Sequence, residues 1–263
     1  MNKILIVFLL AFFCGCTPPS TPAQTATPLT LAIIPGECST PGKIISVDLP
    51  QPEGDPVYSY RVYLPPCFSA VLDARYPVLY LLPGSQSSPD SWIKAGLPEE
   101  MDRLILSGRV PPLIVVTTEN TDNDLEGNTI YRKLIPYVES QYPIAGDRRH
   151  RAVAGGSLGG VSAYHLAFQH PDTFSSAGIF GAGAFPWDEE PIRSWLAQMN
   201  DSNRTRVFLN SGEQDSYMLE RAREMKSILD QAGVENELYV DQGGHHYKYW
   251  IPNFGRYLTW LEK

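Results

Sequence analysis

The sequence predicts an α/β domain built on an open, mainly parallel sheet with helices on both faces. Three observations carry this reading. Short runs that are apolar on nearly every residue recur along the chain, the pattern of strands buried on both faces. Helical stretches with one apolar face alternate with them, and that alternation favours parallel crossovers. The 263 residues, 43% hydrophobic and 19% charged, suffice for one sizeable core and not for a second full domain. No internal repeat is present.

The first element is not part of that domain. Lys3 is a minimal positive region, and residues 4–13 form an apolar stretch of signal-peptide length, too short to span a bilayer. The run closes on Phe13-Cys14-Gly15-Cys16, which resembles a bacterial lipoprotein lipobox with Gly15 before the cysteine to be lipidated. Residues 1–16 are therefore expected to be a lipoprotein-type signal segment with its lipid on Cys16. An ordinary cleaved secretory peptide is the alternative, and both place the mature protein outside the cytoplasm. Residues 17–28 (TPPSTPAQTATP) are dense in proline and threonine without apolar periodicity, and are expected to be a disordered spacer. Residues 29–263 are expected to form the folded domain.

Within it, residues 58–64 (YSYRVYL) read as a strand stopped by Pro65-Pro66, and 77–82 (PVLYLL) as a strand buried on both faces. The stretches 113–117, 151–154, 207–210 and 237–240 repeat the theme. A helix is expected over 129–142, with Ile130, Leu134 and Val138 in register and a kink at Pro136. Another is expected over 218–232, where Met218, Ala222, Met225, Ile228 and Leu229 share a face and Gly233 supplies the stop. After processing at Cys16, Cys38 and Cys67 remain. An even pair in an oxidising compartment predicts a disulfide.

Charge excludes one class of partner. The net charge is −8, and the densest basic run, Arg148-Arg149-His150-Arg151, is short. No nucleic-acid footprint exists.

The chemistry centres on Gly155-Gly156-Ser157-Leu158-Gly159, a G-x-S-x-G pattern. A chain of this length meets it by chance roughly one time in ten at average glycine and serine usage. Its context is what carries weight: an apolar strand runs into it and an apolar helical stretch, 161–168, leaves it, the strand–turn–helix of a nucleophile elbow. A serine needs a histidine base, and the histidine needs a carboxylate to fix its tautomer. His150 precedes the serine, and His165 and His170 fall in or just after the elbow helix. That leaves His245, with His246 as alternate, on the loop after the last strand. The pair has no companion ligands at a metal-binding spacing, and no cofactor is expected. For the acid, the loop after strand 207–210 offers Asp215, with Glu213 as alternate; Asp241 reads as a strand-end residue. The tetrahedral oxyanion calls for two backbone N–H donors. Leu158 is assigned one, and Ser85 the other, with Gln86 as alternate. Trp92 and Trp187 are candidate substrate contacts, and the segment 183–203 is expected to roof the site.

From residue 63 onward the chain resembles the putative esterase family, which includes enterochelin esterases, feruloyl and acetyl-xylan esterases of carbohydrate esterase family 1, S-formylglutathione hydrolases and mycolyltransferases. The matching pieces are VYLPPCF, RYPVLYLLPG, SGRVPPLIVV, LIPYVESQYPI, RAVAGGSLGG with HPDTF after it, SGEQD and GGHHYKYW. The resemblance implies an α/β-hydrolase fold with Ser157, Asp215 and His245 as a catalytic triad. Family members usually carry His-Gly where this chain has Pro83-Gly84, and often Asp where it has His246. The expected activity is hydrolysis of a carboxylic ester, small or carbohydrate-linked, through an acyl-enzyme, by a protein tethered to a membrane through its lipid. Acyl transfer to an alcohol by the same machinery is the alternative. A non-catalytic binding protein fits the intact Ser, Asp and His poorly.

Overall fold

The computed structural model describes residues 30–33, 38–51, 53, 57–70 and 74–262. The signal segment with Cys16 and the 17–28 spacer lie outside them. The elements are β1 (Lys43–Leu49), β2 (Tyr58–Leu64), β3 (Val78–Leu82), α1 (Ser91–Lys94), α2 (Leu97–Leu106), β4 (Ile114–Thr117), α3 (Ile135–Gln141), β5 (Arg151–Gly156), α4 (Leu158–Gln169), β6 (Ser176–Phe180), α5 (Glu189–Ala197), β7 (Arg206–Gly212), α6 (Ser216–Gln231), β8 (Asn236–Asp241) and α7 (Tyr247–Leu261). The strands form one sheet in the order β1-β2-β4-β3-β5-β6-β7-β8. Only β1–β2 and β2–β4 run antiparallel.

Alternation along the strands divides the core in two. On β3, Val78, Tyr80 and Leu82 face the layer of α3, α4, α5 and α6, while Leu79 and Leu81 face α1, α2 and α7. With both faces covered, every residue of β3 through β6 is buried. Side chains of this kind stabilise by roughly 1.5–3 kcal/mol each on full burial. Helix α4 is buried on every side from Gly159 to Phe168 because the sheet and its neighbouring helices enclose it.

The six expected strands are all present. Two more were not anticipated. β1 is an edge strand with most of its residues outside the core, so its apolar positions are few. β6 reads Ser-Ala-Gly-Ile-Phe, and small residues hide its β character although all five are buried. The expected kink at Pro136 takes a specific form. Residues Ile130–Leu134 make a π-helical turn in which the Ile135 N–H reaches back to Ile130 O, and α3 then restarts with Pro136 in its first turn. A proline lacks the N–H that a continuing helix needs, and at a helix start that loss is harmless.

Cys38 and Cys67 are joined, with Cα atoms 5.9 Å apart. The cause is the β1–β2 hairpin, whose register sets Lys43 opposite Leu64 and so returns the chain beside its starting point.

Candidate active site

Ser157, Asp215 and His245 converge at the C-terminal edge of the parallel strands, the usual place for a ligand site in an open α/β sheet. Ser157 sits between β5 and α4 with φ 55° and ψ −123°, a conformation that L-residues rarely adopt. Strain of this kind costs about 1–3 kcal/mol and persists only where surrounding structure enforces it. Here the Ser157 N–H donates to Phe180 O at 2.8 Å, and Ser157 O accepts from the N–H groups of Gly160 and Val161. The flanking glycines are required by space. A Cβ on Gly155 would lie 2.1 Å from Gly159 O, and one on Gly159 would lie 2.4 Å from the carbonyl oxygens of Leu82 and Pro83.

Asp215 occupies the N-cap position of α6, yet its carboxylate does not cap the helix. It accepts instead from His245 Nδ1 at 2.6 Å. The aspartate side chain is 13% exposed and the histidine 35%, so the pair opens to solvent on the imidazole side. With the Nδ1 proton committed to the carboxylate, Nε2 carries a lone pair. The imidazole packs edge-on against Trp250, ring centroids 5.1 Å apart. The same indole lies against Gly156, where a Cβ would be 2.5 Å from it. Trp250 thus backs both His245 and the residue before Ser157. Gly181, next after the Phe180 that holds the Ser157 amide, would bring a Cβ to 3.0 Å from His245 Nδ1. Serine and histidine therefore flank one strand end. No hydrogen bond joins Ser157 Oγ to His245 among the described residues; such contacts tighten as substrate engages.

None of the alternates joins this pair. His246 Nδ1 accepts from Tyr249 N–H and caps α7. Glu213 points to solvent. Asp241 ends β8, and its carboxylate accepts from Tyr249 Oη at 2.5 Å. The remaining histidines are engaged as well: His150 with Asp147, His165 with Asp188, and His170 stacked 3.5 Å from Tyr131. Burial pushes the His170 imidazole below its ordinary value, and the nearby Arg132 adds to this.

The loop after β3 is fixed at three points. Gly84 N–H donates to Tyr247 Oη at 2.8 Å, Gln86 N–H to Asp122 Oδ2 at 3.0 Å, and Asn120 Nδ2 to Ser87 O at 3.0 Å. Gln86 is held at φ 54°. Its committed amide removes it as an oxyanion donor, whereas the amides of Ser85 and Leu158 have no acceptor among the described residues. A pair of uncommitted N–H groups flanking the serine is the arrangement an oxyanion needs.

One expectation is corrected. Trp92 does not reach the site; it is fully buried, donates its indole N–H to Leu82 O at 3.1 Å, and packs against Tyr247 at 4.9 Å. It supports the loop from beneath. Trp187 behaves otherwise: it is 61% exposed and stacks on Phe185 at 5.5 Å, and Phe185 contacts Tyr217, two residues beyond Asp215. Sequence reading also missed Tyr247, Asp122 and Asn120. The only sequence signal for Tyr247 is its place two residues after His245, and the other two lie about 35 residues from the loop they hold.

A family model described as "Putative esterase" matches residues 56–261. The chain belongs to this family. The family is one of carboxylic ester hydrolases and related acyl-transfer enzymes. Among solved structures the esterase is similar to a ferulic acid esterase with a TM-score of 0.74 and 27% identity, covering 84% of this chain and 98% of that one. It also resembles the feruloyl esterase module from Clostridium thermocellum complexed with sinapinate, with a TM-score of 0.70 and 19% identity over 88% of this chain and 93% of that chain, a likeness of fold. Among curated proteins it is 28% identical over 225 residues to an endo-1,4-beta-xylanase/feruloyl esterase of Xylanibacter ruminicola, covering 77% of this chain and 28% of that protein. The esterase thus spans little more than a quarter of the length of that relative.

Proposed function

We propose that the esterase hydrolyses aromatic-acyl esters, of the kind that decorate plant polysaccharides, through an acyl-enzyme on Ser157. The 2.6 Å bond between Asp215 and His245 Nδ1 carries this reading, because it spends the carboxylate on tautomer control and not on capping a helix. Ser157 Oγ attacks the ester carbonyl while His245 Nε2 takes its proton. The tetrahedral oxyanion is held by the amides of Leu158 and Ser85. As the intermediate collapses, the alkoxide leaves with the proton that His245 returns. Water then repeats the sequence on the acyl-enzyme, releasing the acid and restoring the serine. The aromatic-acyl class is supported by the stack of half-buried Phe185 on exposed Trp187 beside the helix that follows Asp215, and by the names of two of the relatives above. The same reading places the protein outside the cytoplasm on a lipid carried by Cys16, supported by the sequence of residues 1–16 and by a disulfide suited to an oxidising compartment.

Ser157→Ala tests the nucleophile. With 4-nitrophenyl acetate, kcat falls by about 10⁴ to 10⁶, as triad deletions do. More than a tenth of the activity remaining would refute the assignment. A comparison of acetyl and 4-hydroxycinnamoyl esters tests the acyl class, and product analysis with an added acceptor alcohol separates hydrolysis from transfer.

A further inference from the structure

Resting on that reading, we infer that a buried Asp188–His165–Tyr164 pin sets the acyl specificity of the esterase by holding the aromatic wall in register with the nucleophile. Asp188 is 2% exposed, and one of its oxygens, Oδ2, accepts from both Tyr164 Oη at 2.5 Å and His165 Nε2 at 2.9 Å. Tyr164 and His165 belong to α4, the helix that begins at Leu158 directly after Ser157. At 1.5 Å per residue the pin sits only about 10–12 Å along that helix from the nucleophile. Asp188 closes the turn Phe185-Pro186-Trp187-Asp188, its N–H donating to Phe185 O at 2.9 Å. Half-buried Phe185 and exposed Trp187 are thus carried on a turn whose last residue is bolted to the nucleophile's helix.

Local structure alone does not ask for this arrangement. Asp188 stands at the N-cap of α5, where an aspartate ordinarily satisfies the helix's own amides. Its side chain makes no such bond. The carboxylate is turned inward, into a site where a charge is expensive unless fully hydrogen bonded. His165 Nδ1 is itself buried without a partner, which assigns the proton to Nε2 and the bond's direction toward Asp188. Trp195 of α5 closes edge-on over the imidazole at 4.9 Å. Replacing such buried polar sets by apolar residues is often neutral for stability, and what they supply is a single geometry. The geometry supplied here is the position of Phe185 and Trp187. Tyr164, His165 and Asp188 touch no reacting atom and act as positioning residues.

The test compares Asp188→Ala, Asp188→Asn and Tyr164→Phe with the parent chain, on 4-nitrophenyl acetate and on methyl 4-hydroxy-3-methoxycinnamate. Asp188→Ala raises KM for the cinnamate about tenfold or more and leaves kcat and KM for the acetate within about twofold. Tyr164→Phe shifts the cinnamate KM in the same direction by a smaller factor, and Asp188→Asn, which keeps an acceptor in place, restores it. Tryptophan quenching by the free cinnamate acid reads the same loss without turnover. Parallel losses on both esters, or a cinnamate KM and affinity unmoved in Tyr164→Phe and Asp188→Ala, overturn the pin. Hydrolysis of the acetate by the parent chain tests the catalytic reading separately. A parent chain that turns over acetate but shows no preference for the cinnamate overturns the specificity role while leaving the triad standing.

Discussion

Replacing Tyr247 by phenylalanine isolates one hydrogen bond in the loop after β3, which we propose holds the oxyanion. Tyr247 Oη accepts the Gly84 amide at 2.8 Å, and its ring packs against Trp92 and Trp250 at 4.9 and 5.1 Å. Phenylalanine keeps the ring and removes the acceptor. Gly84 is buried, so its N–H is left without a partner, which costs about 1–3 kcal/mol. The loop relieves that cost by rotating the Gly84–Ser85 segment, and the Ser85 amide moves with it. At about 1.4 kcal/mol per tenfold, the expected loss is roughly 10- to 100-fold in kcat. It stays below the 10²–10³ that removal of a whole oxyanion donor causes. Because the donor engages charge that exists only in the transition state, KM should stay within about twofold. Steady-state kinetics on 4-nitrophenyl acetate, with a thermal melt as control, reads both. An unchanged kcat with a lowered melting temperature would show that Tyr247 only supports the fold, and a raised KM at constant kcat would place it in ground-state binding. Either result refutes the argument.

Three other outcomes are expected. His245→Ala abolishes ester hydrolysis, whereas His246→Ala keeps most activity and loses about 0.5–2 kcal/mol of stability with its cap on α7; the opposite pattern in a paired assay moves the base by one residue. Reduction of the Cys38–Cys67 bridge, which closes a separation of 29 residues, removes roughly 3.5 kcal/mol in the chain-entropy model while leaving activity at mild temperature nearly unchanged; differential melts with and without reductant measure it, and two alkylatable thiols in the unreduced protein contradict it. Mass spectrometry of protein from its native host finds the mature N-terminus as lipidated Cys16, and an unlipidated soluble product removes the tether.

Much of the architecture follows from local composition. Strands covered on both faces must be apolar throughout, so β3, β4, β5 and β7 announce themselves, as does α6 through its single apolar face. The elbow turn is partly local: Gly155 answers a clash with Gly159 and Gly159 one with the strand beside it, whereas Gly156 makes room for Trp250 of α7. The order serine, acid, histidine then narrows the partners to two short loops.

The choice within those loops belongs to tertiary structure. Asp215 is as good a helix cap as a triad acid until β7 and β8 pair and set His245 2.6 Å from it. His245 and His246 are adjacent and chemically identical, and only the start of α7 turns one into a cap and leaves the other facing Asp215. Trp92 carries no mark of burial in the sequence; its place under the loop after β3 is decided by α7, more than 150 residues away, through Tyr247, Trp250 and Phe254. Sequence fixes which residues can do the chemistry because their types and local turns are short-range properties. Which of them meet depends on long-range strand pairing, which local chain chemistry cannot encode.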